Sequence, residues 1–575
     1  MPDADGHLFS GATGLPARQR RAGSGTHAAV RVAVMSESAG SVCPMDMSSK
    51  AHEFNDSLSR AAAGLRLYDT ASRTVSAFTP IEPGRVGIYV CGATVQSSPH
   101  VGHLRTTLAF DVIRRWMTKL GFKVTLIRNV TDIDDKILDK AAAAGQEWWE
   151  RAFIYEREFT AAYDALGALP PTYEPRATGH IPQMIDLVQR LIDRGHAYIV
   201  PDEEGGPSGN VYFDVESWPE YGALTHQETG TQAADEQAAV ADRMGPSVDA
   251  HGDDKYNPTD EADLASGKRG PRDFALWKAS KPSDPPTARW TTPFGTGRPG
   301  WHLECSAMSR RYLGEDFDIH GGGLDLRFPH HENEMAQSRA AGWGFAHRWM
   351  HTAWVTQKGE KMSKSLGNGL AVDAVLAAYP AWVVRYALVS AHYRSMLEWG
   401  DQTLAEAQAA YERITGFVNR AGKALGWQPS REEVAARSAD QLPADFVNAM
   451  NDDVKVPEAL AVLFATIRRA NAGMAGGDSH AEQDGLLRDL LDVRAMLDIF
   501  GLDPLDPHWT RPDRGETATA EHAALDALVS RNLTDRQAAR TAKDFARADA
   551  IRDTLAAAGI AIEDTPEGPS WQLEG

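Results

Sequence analysis

The sequence predicts an α/β protein with a Rossmann-like doubly wound parallel sheet, followed by an α-helical bundle and a small C-terminal unit. Residues 86–90 (VGIYV) have strand character, and after a polar loop residues 108–120 carry apolar side chains at the spacing of one helical face. Other short apolar runs that lead into polar loops lie at residues 124–130, 316–320 and 349–355. This order is typical of parallel sheets, which bind ligands over the carboxyl ends of their strands. Beyond about residue 371 the pattern is helical.

Shifts in composition divide the chain into predicted regions. These are a disordered N-terminal extension over 1–60, an α/β domain over 61–395, a helical bundle over 396–505 and a C-terminal unit over 515–575. We expect a connective insertion within the α/β domain at about 140–300. It includes an acidic loop at about 225–268, where Asp, Glu, Gly and Ala dominate without periodicity.

The composition also limits the class of function. The chain has 575 residues, a hydrophobic fraction of 42% and a net charge of -20, which allows a large core and argues against DNA as a partner. An RNA bound by a local basic face is compatible with this charge. There is no long apolar run and no apolar signal core, and the cysteines are only Cys43, Cys91 and Cys305. These features predict a cytoplasmic protein without a membrane partner.

Two motifs in the α/β domain are suited to phosphate chemistry. If His100 opens a helix, His103 lies one turn on, and Gly102 lets a nucleotide approach the backbone near the positive end of the helix dipole. Later, Lys361 and Lys364 lie in a polar loop where two ammonium groups can neutralise a transferring phosphate. Taken alone, the histidine motif is equally compatible with two surface histidines near a turn, and two lysines in a polar loop are most often ordinary surface residues. Together they favour attack on the α-phosphate of ATP, with pyrophosphate as the leaving group.

Four potential metal ligands lie in separate loops or helix starts. They are Cys91, Cys305, His330 and Glu334. Two thiolates, an imidazole and a carboxylate make a reasonable tetrahedral zinc set. The alternative is two buried cysteines and a helix-capping His–Glu pair, and His331 and Glu332 compete as ligands.

Four cations near the C-terminus fall at i, i+4, i+7 and i+11. They are Arg536, Arg540, Lys543 and Arg547. On one helix they would form a single basic stripe. Such a stripe is either a solvated charged face or a contact surface for RNA.

Several segments of the sequence resemble the cysteinyl-tRNA synthetase family of class I aminoacyl-tRNA synthetases. Residues 100–103 (HVGH) resemble the HIGH motif, with valine in place of isoleucine, and residues 361–365 are identical to the KMSKS signature. Five further segments are similar to the same family: YVCGATV, NVTDIDDKI, GWHLECSAM, DIHGGGLDLRFPHHENEMAQS and AHYRSMLEW. So are FVNAMNDDVKVPEALAVLF and the C-terminal ARTAKDFARADAIRDTL. The resemblance covers about residues 65–571, and the N-terminal extension and long acidic loop lie outside the family pattern.

The resemblance implies roles for specific residues. It implies that Cys91, Cys305, His330 and Glu334 bind one zinc ion, to which the thiolate of the substrate cysteine also binds. Serine offers a harder oxygen that ionises poorly, so such a site rejects it without editing. The implied amino-acid pocket contains Thr131, Trp301 and His320. Asp325 is expected near the adenosine ribose, and Lys364 near ATP.

The implied activity is cysteine–tRNA ligation. ATP, with Mg²⁺, and L-cysteine give cysteinyl-adenylate and pyrophosphate, and the acyl group then moves to the terminal ribose of tRNA(Cys). The family implies a monomer and favours tRNA contact by the basic C-terminal residues. The main alternative is the cysteine ligase of mycothiol biosynthesis, which transfers cysteine to an amino-sugar and needs no anticodon-reading unit. A zinc-stabilised RNA-binding protein without catalysis is a third hypothesis, which the intact HVGH and lysine motifs disfavour.

Overall fold

The computed structural model describes residues 58–226, 267–357, 360–361, 371–474, 480–510, 514–565 and 568–573. Most of the predicted disordered extension (1–57) and of the predicted acidic loop (227–266) lies outside these residues. Ser59 and Arg60 already bind the rest of the protein. The Ser59 amide donates to the Leu120 carbonyl at 3.0 Å, and the Arg60 amide donates to a carboxylate oxygen of Asp440 at 2.9 Å. The predicted end of the extension at residue 60 is therefore slightly too far along the chain.

A parallel sheet forms the centre of the α/β domain. A short hairpin, β1 (Arg66–Asp69) and β2 (Thr74–Ala77), precedes it. The strands of the sheet are β3 (Arg85–Val90), β4 (Lys123–Arg128), β10 (Phe317–Gly323) and β11 (Ala346–Thr352). They lie in the order β11-β10-β3-β4 with every pairing parallel. Helix α1 (Val101–Lys119) connects β3 to β4 and buries Leu108, Ile113 and Trp116. The predicted fold class is confirmed.

Between β4 and β10 the chain adds helices and an antiparallel sheet. The helices are α2 (Asp135–Ala144), α3 (Trp148–Ala165), α4 (Ile181–Asp193) and α5 (Trp301–Leu313). The strands are β5 (Ala197–Pro201), β6 (Pro207–Phe213), β7 (Phe274–Ala279), β8 (Trp290–Thr292) and β9 (Gly295–Pro299), in the order β5-β6-β7-β9-β8. The sequence does not predict β6, because Pro207, Ser208 and Gly209 at its start are typical of loops. Pairing with both β5 and β7 stabilises it as a strand.

The second half of the described chain is mainly helical. After α6 (Glu332–Ala340) and β12 (Val355–Gln357), β13 (Glu360–Lys361) and β14 (Leu397–Glu398) pair with β12. The helices that follow are α7 (Val372–Ala378), α8 (Ala381–Ser390), α9 (Asp401–Leu425), α10 (Arg431–Ala436), α11 (Ala444–Asn451), α12 (Val456–Met474), α13 (His480–Phe500) and α14 (Pro507–Thr510). No single helix in the described ranges is long and apolar enough to cross a membrane, although α7 and α8, bent by 113°, reach that length and composition as a pair.

The C-terminal unit corrects the prediction of one basic stripe. It contains α15 (Arg514–Thr541), α16 (Phe545–Ala557) and the antiparallel pair β15 (Ile560–Thr565) and β16 (Gly568–Leu573). Arg536 and Arg540 lie on α15, but Lys543 has a φ of 61° after that helix has ended, and Arg547 lies on α16. Asp544 ends the helical run because its carboxylate accepts a hydrogen bond from the Arg547 amide as the cap of α16. The four cations therefore lie on two helices and the turn between them.

Candidate functional site

A cavity of about 270 Å³ lies at the carboxyl edge of the parallel sheet. Such an edge is where open α/β sheets bind their ligands. Six of the predicted site residues line this cavity: Cys91, His100, Gly102, His103, Trp301 and Asp325. They come from the loop after β3, the start of α1, the start of α5 and the turn after β10. The sheet topology thus brings together residues that are far apart in the sequence.

The two histidines of the HVGH motif lie where α1 begins. His100 immediately precedes the helix, as predicted, and its amide donates to Nδ1 of His103 at 3.1 Å. The two rings stack with centroids 3.7 Å apart. A Cβ atom on Gly102 would lie only 3.0 Å from two atoms of the His100 ring, so a larger residue here would push that ring from its present position. The motif therefore presents two imidazoles and the N-terminus of a long helix to the cavity.

The four predicted metal ligands meet in one buried cluster beside the cavity. The ligand atoms of Cys91, Cys305, His330 and Glu334 all lie within 4.8 Å of one another. Sγ of Cys91 is 3.5 Å from Sγ of Cys305 and 3.3 Å from Oε1 of Glu334, and Nε2 of His330 is 3.0 Å from the same oxygen. Burial raises the pKa of both thiols, that of Cys91 well above its ordinary value. Burial also lowers the pKa of His330 well below its ordinary value, and a neutral imidazole is the form that binds a metal.

A second group of potential ligands shares Cys91 and Glu334 with the first. It adds His320 and His331 in place of Cys305 and His330. Nδ1 of His331 already contacts Nε2 of His351 at 2.8 Å, and its Nε2 lies 4.0 Å from Glu334. The first group carries two sulfur atoms, which zinc prefers, and so it fits that ion better. The predicted competitor Glu332 points elsewhere, because its carboxylate accepts hydrogen bonds from the amides of Gly222 and Thr225.

Two of the three residues assigned to an amino-acid pocket contact the ligand cluster. Trp301 stacks on the His330 ring at a centroid distance of 4.0 Å. Nε2 of His320 contacts Oε2 of Glu334 at 2.9 Å. The Thr131 hydroxyl donates to Glu304 at 2.7 Å, and burial raises the pKa of Glu304 well above its ordinary value. Trp301 and His320 therefore contact ligands of the cluster, whereas Thr131 contacts Glu304, and of the three only Trp301 lines the cavity itself.

The lysine loop is described only at its start. Lys361 is the last residue of β13 and pairs with Thr356 of β12. Its side chain and the whole of Lys364 lie outside what the structure describes. The segment 352–355, which leads into β12, lines the cavity together with the HVGH histidines. The loop therefore leaves the sheet from a wall of the cavity.

Sequence reasoning missed several residues of the site. Nδ1 of His302 contacts Nδ1 of His330 at 3.0 Å, and burial together with Lys278 lowers the pKa of His302 to about 3, so its ring is neutral. Arg128 and Tyr163 line the cavity. His302 follows Trp301 in the segment GWHLECSAM, and the resemblance of that segment to the family could have identified it. A single arginine at the end of a strand carries no such signal.

Comparison with known proteins decides the family. Residues 77–409 match the model of the class I (C) tRNA synthetase catalytic domain, residues 445–503 the DALR domain, and residues 522–571 the anticodon-binding domain of cysteinyl-tRNA ligase. A cysteine–tRNA ligase of Bifidobacterium longum (strain NCC 2705) is 66% identical over 90% of this chain and 96% of its own length. The chain belongs to the cysteinyl-tRNA synthetase family. Membership makes it a class I aminoacyl-tRNA synthetase, an ATP-dependent ligase.

A second curated relative agrees with this family. A cysteine–tRNA ligase of Beutenbergia cavernae is 55% identical over 89% of this chain and 99% of its own length. A solved structure of Mycobacterium tuberculosis methionyl-tRNA synthetase in complex with methionyl-adenylate has a TM-score of 0.48 and 17% identity, and covers 75% of this chain and 92% of that one. That second likeness is too distant to carry weight beside the first.

Proposed function

We propose that this chain joins L-cysteine to the terminal ribose of tRNA(Cys) in two steps at the cavity over the parallel sheet. The observation that carries the proposal is the position of a buried Cys/Cys/His/Glu cluster directly beside the cavity that the HVGH histidines line. The cluster can recognise the sulfur of the amino acid, and the histidines and the helix N-terminus can bind the phosphates of a nucleotide. An enzyme that activates cysteine with ATP needs both.

In the first step the carboxylate of cysteine attacks the α-phosphate of ATP and pyrophosphate leaves. The chain mainly positions the reactants and stabilises charge. We assign His100, His103 and Gly102 to the phosphates at the N-terminus of α1, and Asp325 to the ribose. We assign Lys361 and Lys364 to the charge that develops on the leaving pyrophosphate, together with Mg²⁺. In the second step a hydroxyl of the terminal ribose attacks the acyl carbon and AMP leaves.

The selectivity for cysteine is assigned to a zinc ion held by Cys91, Cys305, His330 and Glu334. The close approach of these buried donors supports the assignment. When bound, zinc supplies a soft Lewis acid that prefers a thiolate to a hydroxyl group. His302 orients the His330 ring, and Thr131, Trp301 and His320 surround the amino acid. One ion per chain accounts for all four donors.

We assign tRNA binding to the helical regions after the catalytic domain, and propose Arg536, Arg540, Lys543 and Arg547 as contacts. Matches to the DALR and anticodon-binding domains support this part of the proposal. They also disfavour the cysteine ligase of mycothiol biosynthesis, because a ligase that acts on an amino-sugar has no use for an anticodon-binding domain. We further propose that the enzyme acts as a monomer in the cytoplasm.

The test is aminoacylation with purified protein. We expect charging of a tRNA(Cys) transcript with radiolabelled cysteine that depends on ATP and Mg²⁺, and no charging with serine. The amino-sugar acceptor of mycothiol biosynthesis serves as the control acceptor. Transfer to that sugar without charging of tRNA would contradict the proposal.

A further inference from the structure

Arg128 ends strand β4 at the carboxyl edge of the sheet, beside the residue that precedes Cys91. It pairs in register with Val90 of β3 and lines the catalytic cavity. Only 8% of the residue is exposed to solvent. A cation on the wall of a cavity at this edge of an α/β sheet is placed to meet a negatively charged ligand.

Three groups hold the guanidinium of Arg128 in one orientation. Its Nε donates to a carboxylate oxygen of Glu174 at 2.8 Å, and its Nη1 donates to the Thr107 hydroxyl at 3.4 Å. The face of the guanidinium lies 4.2 Å from the centroid of the Tyr163 ring. Among the described residues, Nη2 has no hydrogen-bond partner. One edge of a rigidly held guanidinium is therefore left for a ligand in the cavity.

The position of Arg128 relative to the HVGH motif indicates the kind of ligand. Thr107 lies one helical turn after His103 on α1. On α3, the Phe159 ring contacts His103, and the Tyr163 ring, one turn later, contacts the guanidinium of Arg128. Arg128 therefore continues the wall that begins with the histidines, about one turn or ~5 Å further from the helix N-terminus. Glu174 offsets part of its charge, but the Glu174 side chain is 29% exposed and binds Nε rather than the free edge.

We propose that Arg128 is a further phosphate-binding residue of the catalytic cavity, which donates from Nη2 to an oxygen of a substrate phosphate. This inference rests on the proposed cysteine–tRNA ligation. Two substrates bring phosphates to this cavity. One is ATP, and the other is the 3′-terminal nucleotide of the tRNA. Glu174, Thr107 and Tyr163 position the guanidinium for either.

Arg176 offers a matched control close to Arg128 in the fold. Arg176 forms a similar ion pair with Glu156 of α3, with Nη2 at 2.9 Å and Nε at 3.1 Å from one carboxylate oxygen. Arg176 is about half exposed and is not among the residues that line the cavity. Arg176→Gln therefore removes an arginine–glutamate pair from the same neighbourhood without touching the site.

The experiment compares wild-type protein, Arg128→Gln, Arg128→Lys and Arg176→Gln in two reactions. The first is cysteine-dependent ATP–pyrophosphate exchange, and the second is single-turnover transfer of cysteine from preformed adenylate to tRNA. Loss of a charge-assisted hydrogen bond is expected to slow one reaction by about tenfold or more in Arg128→Gln. Slower exchange, with a raised KM for ATP, identifies the ATP phosphate. Normal exchange with slower transfer identifies the tRNA phosphate. Arg128→Lys keeps the positive charge but lacks the planar guanidinium with its several N–H donors, so its rate should lie between those of wild type and Arg128→Gln.

Three results would overturn the inference. They are rates within twofold of wild type in folded Arg128→Gln, an equal loss in Arg176→Gln, and a defect confined to the KM for cysteine. If Arg128→Gln does not fold, as judged by thermal melting, the same readouts of Arg128→Lys decide the matter. If wild-type protein shows neither reaction, the proposed function has failed rather than the role of Arg128.

Discussion

At the scale of single residues, Arg105 connects the helix of the HVGH motif to the segments that support the lysine loop. Its Nε donates to the Ala353 carbonyl at 3.3 Å and its Nη1 to the Leu388 carbonyl at 2.8 Å. Its Nη2 donates to the carbonyls of His392 and Ser395 at 2.9 and 2.8 Å. Burial lowers the pKa of Arg105 to about 10. A buried cation that binds only carbonyl oxygens is costly to place, so its contribution depends on keeping all four contacts.

Replacing Arg105 tests this connection. Arg105→Met leaves buried carbonyl oxygens without donors, and we expect a loss of about 3 kcal/mol in the free energy of unfolding. The rate of ATP–pyrophosphate exchange should fall as well, because the two nucleotide motifs lose a common anchor. Urea unfolding and exchange assays measure the two effects. Arg114→Met is the control on the same helix, since Arg114 binds the single carbonyl of Pro170. Equal stability of the two variants would contradict the role of Arg105.

At the scale of elements, a buried ion cluster joins α1 to α8 and to the chain segments around them. Asp111 on α1 binds Arg115 at 2.9 Å and also Arg385 of α8, and its second oxygen accepts the Leu169 amide at 2.9 Å. Arg385 in turn donates to the carbonyls of Leu166 and Phe500. Burial alone would raise the pKa of Asp111, but the two arginines outweigh it and hold the pKa below its ordinary value. The cluster therefore stabilises the fold most when Asp111 is ionised.

The pH dependence of unfolding tests this cluster. Because the folded pKa of Asp111 is depressed, its contribution is complete above the unfolded value near pH 4 and is lost as the pH falls through the folded value. We expect Asp111→Asn to lose about 3 kcal/mol at neutral pH, with the difference from wild type shrinking below about pH 4. Urea unfolding across this range measures it. Asp452→Asn removes an exposed pair with Lys455 and should cost less than about 1 kcal/mol. A difference for Asp111→Asn that is constant with pH would be inconsistent with this interpretation.

Elements with local periodicity could be predicted from the sequence, and features that depend on distant pairing could not. The run from 86–90 through α1 shows both strand and helix periodicity, so it was identifiable. The four proposed metal ligands could be identified from the sequence only by their donor chemistry, because Cys91 and Cys305 are brought together by the sheet topology and not by their spacing in the sequence. The single basic stripe was wrong because the cap formed by Asp544 interrupts a pattern that continues in the sequence. Arg128 was missed because the orientation of its guanidinium depends on contacts with Glu174 and Tyr163, which lie in other parts of the fold.

At the scale of the whole molecule, the described residues contain two separate hydrophobic cores. The larger one draws its buried residues from 62–502 and includes both the α/β domain and the helical bundle. The smaller one consists of Val529, Leu533, Leu555 and Ile560. Because no side chain that the structure describes in the C-terminal unit contributes to the larger core, we expect the catalytic cavity not to depend on that unit for its structure.

Removal of the C-terminal unit tests this separation. A protein that ends at Thr510 should retain ATP–pyrophosphate exchange within about twofold, because its larger core is intact. Charging of tRNA(Cys) at limiting tRNA should fall by about tenfold or more, because the anticodon-binding domain is lost. The two assays on one preparation separate the effects. Loss of both activities in a protein that still melts cooperatively would show that the unit also supports the catalytic cavity.

The most direct measurement is cysteine-dependent ATP–pyrophosphate exchange before and after removal of metal with a chelator. If Cys91, Cys305, His330 and Glu334 hold the ion that selects sulfur, the wild-type protein contains one zinc per chain and exchange is lost with it. Added zinc restores the exchange with cysteine, and serine supports none in either state. Full exchange with cysteine in protein shown to be free of metal would contradict the central role of this cluster.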